Sequence, residues 1–166
     1  MMDIVDCVDS NNRPTGQTLS RDGLKGASCY FRVVHLWWTH AGQWLVQKRG
    51  KADDLNPYMW AFTTGLVTTG ETPLSTVIRE TQEELGVTLS PDSLRLVKIV
   101  PTHTGAYHTF AYIYHLDHPP LPMQLSDEVL ATDWWDFATI QGKIKDTRFW
   151  NYPKLLDAPD YFDEDV

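Results

Sequence analysis

Five charged side chains, Glu71, Arg79, Glu80, Glu83 and Glu84, crowd into the stretch GLVTTGETPLSTVIRETQEELGV between Gly65 and Val87. Thr72 carries a capping hydroxyl, Pro73 suits the first helical position, and Gly86 can take the left-handed conformation that ends a helix. The spacing therefore predicts a helix at about residues 73–85. At about 100° per residue, Leu74, Val77, Ile78, Thr81 and Leu85 share one stripe, while Glu80, Glu83 and Glu84 share a neighbouring arc. Three carboxylates in the last two turns oppose the helix macrodipole, and the pair at 80 and 84 repels at i,i+4 spacing. A solvated acidic face is what such a run amounts to on its own. A hard divalent cation would turn the same run into an asset, because Mg2+ and Mn2+ prefer carboxylate oxygens, retain waters and bind substrate phosphates.

The stretch also fits the pattern Gx5Ex7REUxEExGU, with U a bulky apolar residue, through Gly65, Glu71, Arg79, Glu80, Glu83, Glu84, Gly86 and Val87. This resembles the signature of the Nudix hydrolases. The single departure is Thr81 at the first U position, on the buried stripe, where it bears on packing more than on chemistry.

The resemblance implies the Nudix fold, an α/β/α sandwich with a mixed β-sheet. It implies a hydrolase that cleaves a diphosphate linkage in a small molecule, a nucleoside diphosphate or a derivative, with Mg2+ or Mn2+ as cofactor. Glu80, Glu83 and Glu84, with the carbonyl of Gly65, would hold the cation. Arg79 would orient a glutamate, Glu71, through a charge-assisted pair. The general base would be either Glu83 or Glu128, which follows a proline-rich loop in the manner of the family's outlying glutamate. Homodimers are common among such proteins.

Outside the motif, Arg49 and Lys51 are candidates to meet a phosphate, and Tyr58 and Trp60 to stack on a base or line a pocket. Trp60, in an aromatic-rich chain, reads first as a core or rim aromatic. His103 and His108 flank a turn at Gly105 and have no metal-site spacing. The segments VDSNNRPTG, LVQKRG and NPYMW look like the hydrolase branch that is similar to isopentenyl-diphosphate isomerase. By resemblance the isomerase needs a cysteine just before the motif's first glycine and histidine metal ligands. Here Thr64 and Leu66 flank Gly65, and ASCYFR contains no histidine, so hydrolysis is expected. A module that binds nucleotides without cleaving them would be suggested by lost carboxylates, and none is lost.

The remaining composition bounds these readings. With 166 residues the chain suits one domain, 1–166, ending in an acidic tail at 157–166. A net charge of −8 and a pI near 5.1, without a Lys/Arg run, argue against broad nucleic-acid or anionic-membrane binding. Two distant cysteines, Cys7 and Cys29, read as reduced structural thiols. The acidic start MMDIVDCVDS does not look like a secretory signal, no run is long enough to span a bilayer, and the expectation is a soluble cytoplasmic protein.

The elements that must position these groups follow from periodicity and punctuation. Ile4 to Val8 reads as a short strand before the turn SNNRPTG, and Leu19 to Ala27 as a loop or partial return strand. CYFRVVHLWW and WLVQKR, joined by HAGQ, read as a hairpin. Trp60 to Thr63 delivers the chain into the acidic motif. Leu94 to Val100 and Tyr107 to Leu116 read as paired strands, and Asp117 to Ser126 as a loop that cannot join a central strand. Val129 to Phe137 reads as a strand, with helical pieces at Thr139 to Lys145 and Arg148 to Leu156.

Overall fold

The computed structural model of the protein describes residues 3–50, 57–104 and 106–150. Strand β1 (Ile4–Val8) and strand β2 (Pro14–Ser20) pair antiparallel as a separate two-stranded sheet. The return strand thus begins inside the expected turn segment, at Pro14, and a single 3-10 turn at Arg21–Gly23 follows it. The aromatic and β-branched run forms β3 (Phe31–His40), which turns through Ala41 and Gly42 into β4 (Gln43–Arg49). Both turn residues have positive φ, 51° and 78°, the twist that a two-residue hairpin requires.

Beyond that turn β3 and β4 diverge, for they pair only through Thr39 with Trp44 and His40 with Gln43. The wedge between them is filled by β5 (Trp60–Ala61) on β4 and β6 (Thr63–Leu66) on β3. What reads in sequence as one short strand is therefore two, with Phe62 at the switch. Helix α1 (Pro73–Leu85) follows. Next come β7 (Arg95–Thr104) and β8 (Tyr107–Asp117), which are antiparallel to each other, while β8 runs parallel to β3. Strand β9 (Val129–Trp135) adds antiparallel to β4, and helix α2 (Phe137–Lys145) starts at Asp136, whose side chain accepts from the Thr139 N–H.

The result is a mixed seven-stranded sheet with a helix on each face, an α/β/α sandwich. Strand alternation sorts the core. Val34, Leu36, Trp38 and Leu45 pack toward α1 with Val77 and Leu85, whereas Trp37, Trp44 and Val46 pack toward α2 with Ile140 and Ile144. Five aromatic rings, Trp37, Trp44, Phe62, Phe137 and Phe149, form a connected cluster on the α2 side, with Trp44 stacked on Phe62 and the other pairs tilted or edge-on. Each such pair adds about 0.5–1.5 kcal/mol to simple burial.

Two expectations are corrected. Cys7 and Cys29 are joined in a disulfide, with Cα atoms 5.6 Å apart, and are not free thiols. Separation in sequence misleads here, because Val8 and Tyr30 exchange two backbone hydrogen bonds of 2.8 and 3.0 Å that bring the two cysteine-bearing segments alongside each other. The segment from Arg148 is not helical where it is described. Trp60 N–H donates to the Arg148 carbonyl and Trp150 N–H to the Trp60 carbonyl, so Phe149 lies beside Trp60 of β5 in a parallel bridge. Residues 151–166, including the acidic tail, lie outside the described residues, as does Gly105. Among the described residues no helix is long and apolar enough to cross a membrane.

Candidate functional site

Helix α1 carries the carboxylates, and its ends are fixed as its residue types require. The Thr72 hydroxyl accepts from the Ser75 N–H, the Ser75 hydroxyl accepts from the Thr72 N–H, and Gly86 closes the helix at φ 69°. Thr81 lies fully buried on the apolar stripe, and its hydroxyl donates to the Val77 carbonyl at 2.7 Å. That bond removes the penalty of a polar group at a bulky apolar position.

Gly86 has a second use. A Cβ there would lie 2.9 Å from the Gln124 carbonyl oxygen, and the loop that needs this room also binds the helix end. The Gln124 N–H donates to the Leu85 carbonyl and the Ser126 N–H to the Glu84 carbonyl. These bonds satisfy carbonyls that the helix end leaves without intrahelical donors, and they hold Asp127 and Glu128 beside α1. On the other side, the Gly50 N–H donates to the Glu128 carbonyl at 2.8 Å, and a Cβ on Gly50 would lie 2.7 Å from the Asp127 carbonyl. Glu83, Ser126, Asp127 and Glu128 line a cleft of about 280 Å³ between these segments.

Midway along the helix Arg79 meets three carboxylates. Its Nε and Nη2 donate to the two oxygens of Glu71 at 2.7 and 2.9 Å, a bidentate pair. Its Nη1 lies 3.2 Å from Glu80 and donates to Glu83 at 3.1 Å. Glu71 is itself held by the Thr68 hydroxyl and N–H. The Arg79 guanidinium holds the Glu71 carboxyl down at about 2, well below the usual range.

Glu80 and Glu84 behave in the opposite sense. Burial pushes Glu80 up to about 7, against the pull of Arg79, and pushes Glu84 up to about 8. Glu80 also lies against Gly65 so closely that a Cβ on the glycine would sit 2.3 Å from its Cγ. Glu84 accepts a hydrogen bond from the Gln47 side chain, which in turn accepts one from the Thr63 hydroxyl. Gln47, Thr63, Thr68, Gly50 and Asp127 did not stand out in the sequence. The available signal was a lone amide inside the buried run WLVQ of β4.

The remaining candidates divide by face. Arg49, at the end of β4, is buried, contributes an attractive field at Glu84, and has Trp150 stacked on its guanidinium at 4.8 Å. Tyr58 hangs on the Arg49 carbonyl with its side chain exposed and φ 63°. Trp60 packs against Trp135, ring centroids 4.6 Å apart, and joins the core on the α2 side, away from the carboxylates. Lys51 lies outside the described residues. His103 and His108 face each other across the β7–β8 hairpin with Nδ1 atoms 2.6 Å apart and pack on Tyr30, the first edge-on and the second tilted.

Among the described residues no three Asp, Glu, His or Cys side chains close into a cage around one point. The arrangement is open: one buried carboxylate, Glu84, a half-buried one, Glu80, a third held by Arg79, and a fourth across the cleft.

Several solved structures share this fold. DR0079 from Deinococcus radiodurans is 20% identical, with a TM-score of 0.76 over 93% of this chain and 96% of its own. The Nudix domain of NrtR from Shewanella oneidensis, complexed with ADP ribose, is 15% identical, with a TM-score of 0.64 over 84% of this chain and 90% of its own. A bifunctional NMN adenylyltransferase/ADP ribose pyrophosphatase from Francisella tularensis, complexed with AMP and a Mn ion, is 20% identical, with a TM-score of 0.56 over 72% and 37% of the two chains. No curated protein matches by sequence. The family model for the NUDIX domain matches residues 31–157, most of the chain, and with the fold and the motif geometry in place this protein belongs to the Nudix family.

Proposed function

We propose that this chain is a divalent-cation-dependent hydrolase that cleaves a diphosphate linkage, in a nucleoside diphosphate or a derivative of one, by attack of water at phosphorus. The observation that carries the reading is the burial of Glu84, with Glu80 half-buried one turn before it on α1 and drawn on by Arg79 alone, where ionisation of both carboxylates calls for a further cation.

The donor set fits Mg2+ or Mn2+. All its groups are hard oxygens, the close contact of Glu80 with Gly65 leaves no room for a side chain between helix and strand, and an open half-shell suits ions that keep waters and share substrate phosphates. Glu80, Glu83, Glu84 and the Gly65 carbonyl would hold the cation. Bound there, it would supply charge stabilisation for the phosphoryl oxygens and activation of water. The chain's own residues do the rest. Arg79 keeps Glu71 ionised and spends its third nitrogen on Glu80 and Glu83, fixing the carboxylate arc. Glu83 and Glu128, which border one cleft, are the two candidates to take the proton from the attacking water. Arg49, with Lys51 next along the chain, is the candidate for a phosphate. Tyr58 is better exposed than Trp60 for stacking.

Structural relatives that carry ADP ribose or AMP support a nucleotide as the substrate class. The segments VDSNNRPTG, LVQKRG and NPYMW support the hydrolase branch similar to isopentenyl-diphosphate isomerase, while Thr64 beside Gly65 removes the cysteine that the isomerase resemblance requires. We read residues 1–166 as one catalytic domain.

The test is phosphate release from a panel of nucleoside diphosphates and their sugar and dinucleotide derivatives with Mg2+ or Mn2+. Turnover of at least one member is expected, with large losses in Glu83→Gln and Glu84→Gln. Unchanged turnover in both variants would refute the cation assignment.

A further inference from the structure

Strand β4 buries Trp44, Leu45 and Val46, and the next side chain in this run is an amide, Gln47, only 4% exposed. Its Nε2 donates to Glu84 Oε2 at 3.1 Å, and its Oε1 accepts from the Thr63 hydroxyl at 2.9 Å. Thr63 is 3% exposed and opens β6, in the wedge where β3 and β4 separate. The wedge is what brings the two residues together, since Gln47 pairs with Ala61 and Thr63 lies two residues further along the same inserted segment.

An amide has a donor end and an acceptor end, and only one of its two orientations suits a carboxylate. With the nitrogen toward Glu84, the carboxylate is met by a donor; with the amide turned over, two oxygens would face each other in a buried place. The Glu84 carboxylate selects the first, and the Thr63 hydroxyl, able to donate or accept, donates to the carbonyl end and so holds the amide there. Each buried polar group is thereby satisfied, which avoids a penalty of about 1–3 kcal/mol per orphaned group.

We infer that Thr63 and Gln47 form a positioning relay that aims the Glu84 carboxylate at the cation, with Thr63 holding the Gln47 amide in the orientation that donates to Glu84. The inference rests on the reading of Glu84 as a cation ligand. Neither Thr63 nor Gln47 touches substrate; both act through Glu84, as the partners that orient metal ligands do.

Mn2+ binding, read from the free-ion electron paramagnetic resonance signal in the absence of substrate, tests the relay. Thr63→Val keeps the branched shape and removes the hydroxyl, and it is expected to weaken Mn2+ binding about tenfold. Thr63→Ser restores the hydroxyl and is expected to bind like the unaltered protein. Adding Thr63→Val to Gln47→Leu should cost nothing further, since the relay is already cut. Circular dichroism identifies folded variants, and if Gln47→Leu fails to fold, the Thr63 pair decides alone. A folded Thr63→Val with full affinity, or losses at the two sites that add in full, overturns the relay. Glu84→Gln in the same titration separates this from the underlying reading. A loss there with full affinity in Thr63→Val removes only the relay, whereas full affinity in Glu84→Gln removes the cation assignment itself.

Discussion

Glu80 and Glu84 are acids kept from water, and the cost falls on their ionised forms. In protein freed of cations, both hold protons up to about pH 7 and 8 that the unfolded chain releases near 4.5. The stability they contribute is present below pH 4.5 and is lost as pH rises through the folded values. Buried His35, lowered to about 4 from 6.5, acts in the opposite sense but only below 6.5. The window from pH 6.5 to 8 therefore isolates the two glutamates. Thermal melts in EDTA should show Tm falling across it, and Mg2+ should raise Tm most at its upper end; a cation-free Tm that climbs from 6.5 to 8 contradicts this. Gly65→Ala provides a steric test, since the new Cβ would overlap Glu80 at 2.3 Å from Cγ. A strain of about 1–3 kcal/mol, directed onto a proposed cation ligand, should lower Mn2+ affinity and turnover about tenfold or more in a folded protein. At this scale the charged arc was legible because carboxylate spacing on a helix is arithmetic. Gln47 and Thr63 were not, because their partner comes from another element.

Helix α1 was the most legible element, with both ends marked by residues whose chemistry is local: Thr72, Pro73 and Gly86. The wedge of β5 and β6 was hidden, because whether β3 and β4 stay paired depends on what is inserted between them. The same holds for the loop at 124–126, whose sequence shows only that it is not a strand, while its bonds to the Glu84 and Leu85 carbonyls join it to the end of α1. Arg79 shows how an element is tuned by what docks on it, for its fork spans the helix and the loop carrying Glu71. A lysine keeps the charge and loses the bidentate geometry. Arg79→Lys should accordingly reduce kcat about 10- to 100-fold with circular dichroism unchanged. Turnover within twofold of the unaltered protein would show that charge alone suffices.

For the whole molecule, the Cys7–Cys29 bond ties the small β1–β2 sheet to the start of β3, and β1 in turn holds the loop before α1 through Thr69. A crosslink closing a segment of this length contributes on the order of 3 kcal/mol. Mass spectrometry after alkylation should find both thiols blocked until a reductant is added, and reduction should lower Tm; two alkylated cysteines in unreduced protein would contradict the bond. Nothing in cysteine count or spacing discloses this link, which depends on the register of Val8 with Tyr30. The mixed sheet and its two helices, by contrast, were foreseeable from strands flanking one helix and from the motif's resemblance. The central claim, cation-dependent attack of water at phosphorus, is tested most directly by following a turned-over nucleoside diphosphate or derivative in 18O-enriched water by 31P NMR. The account predicts 18O on a phosphate product, formed only with Mg2+ or Mn2+ and lost in Glu84→Gln. Label on the non-phosphate fragment, cleavage that persists in EDTA, or isomerisation of isopentenyl diphosphate in place of hydrolysis would contradict it.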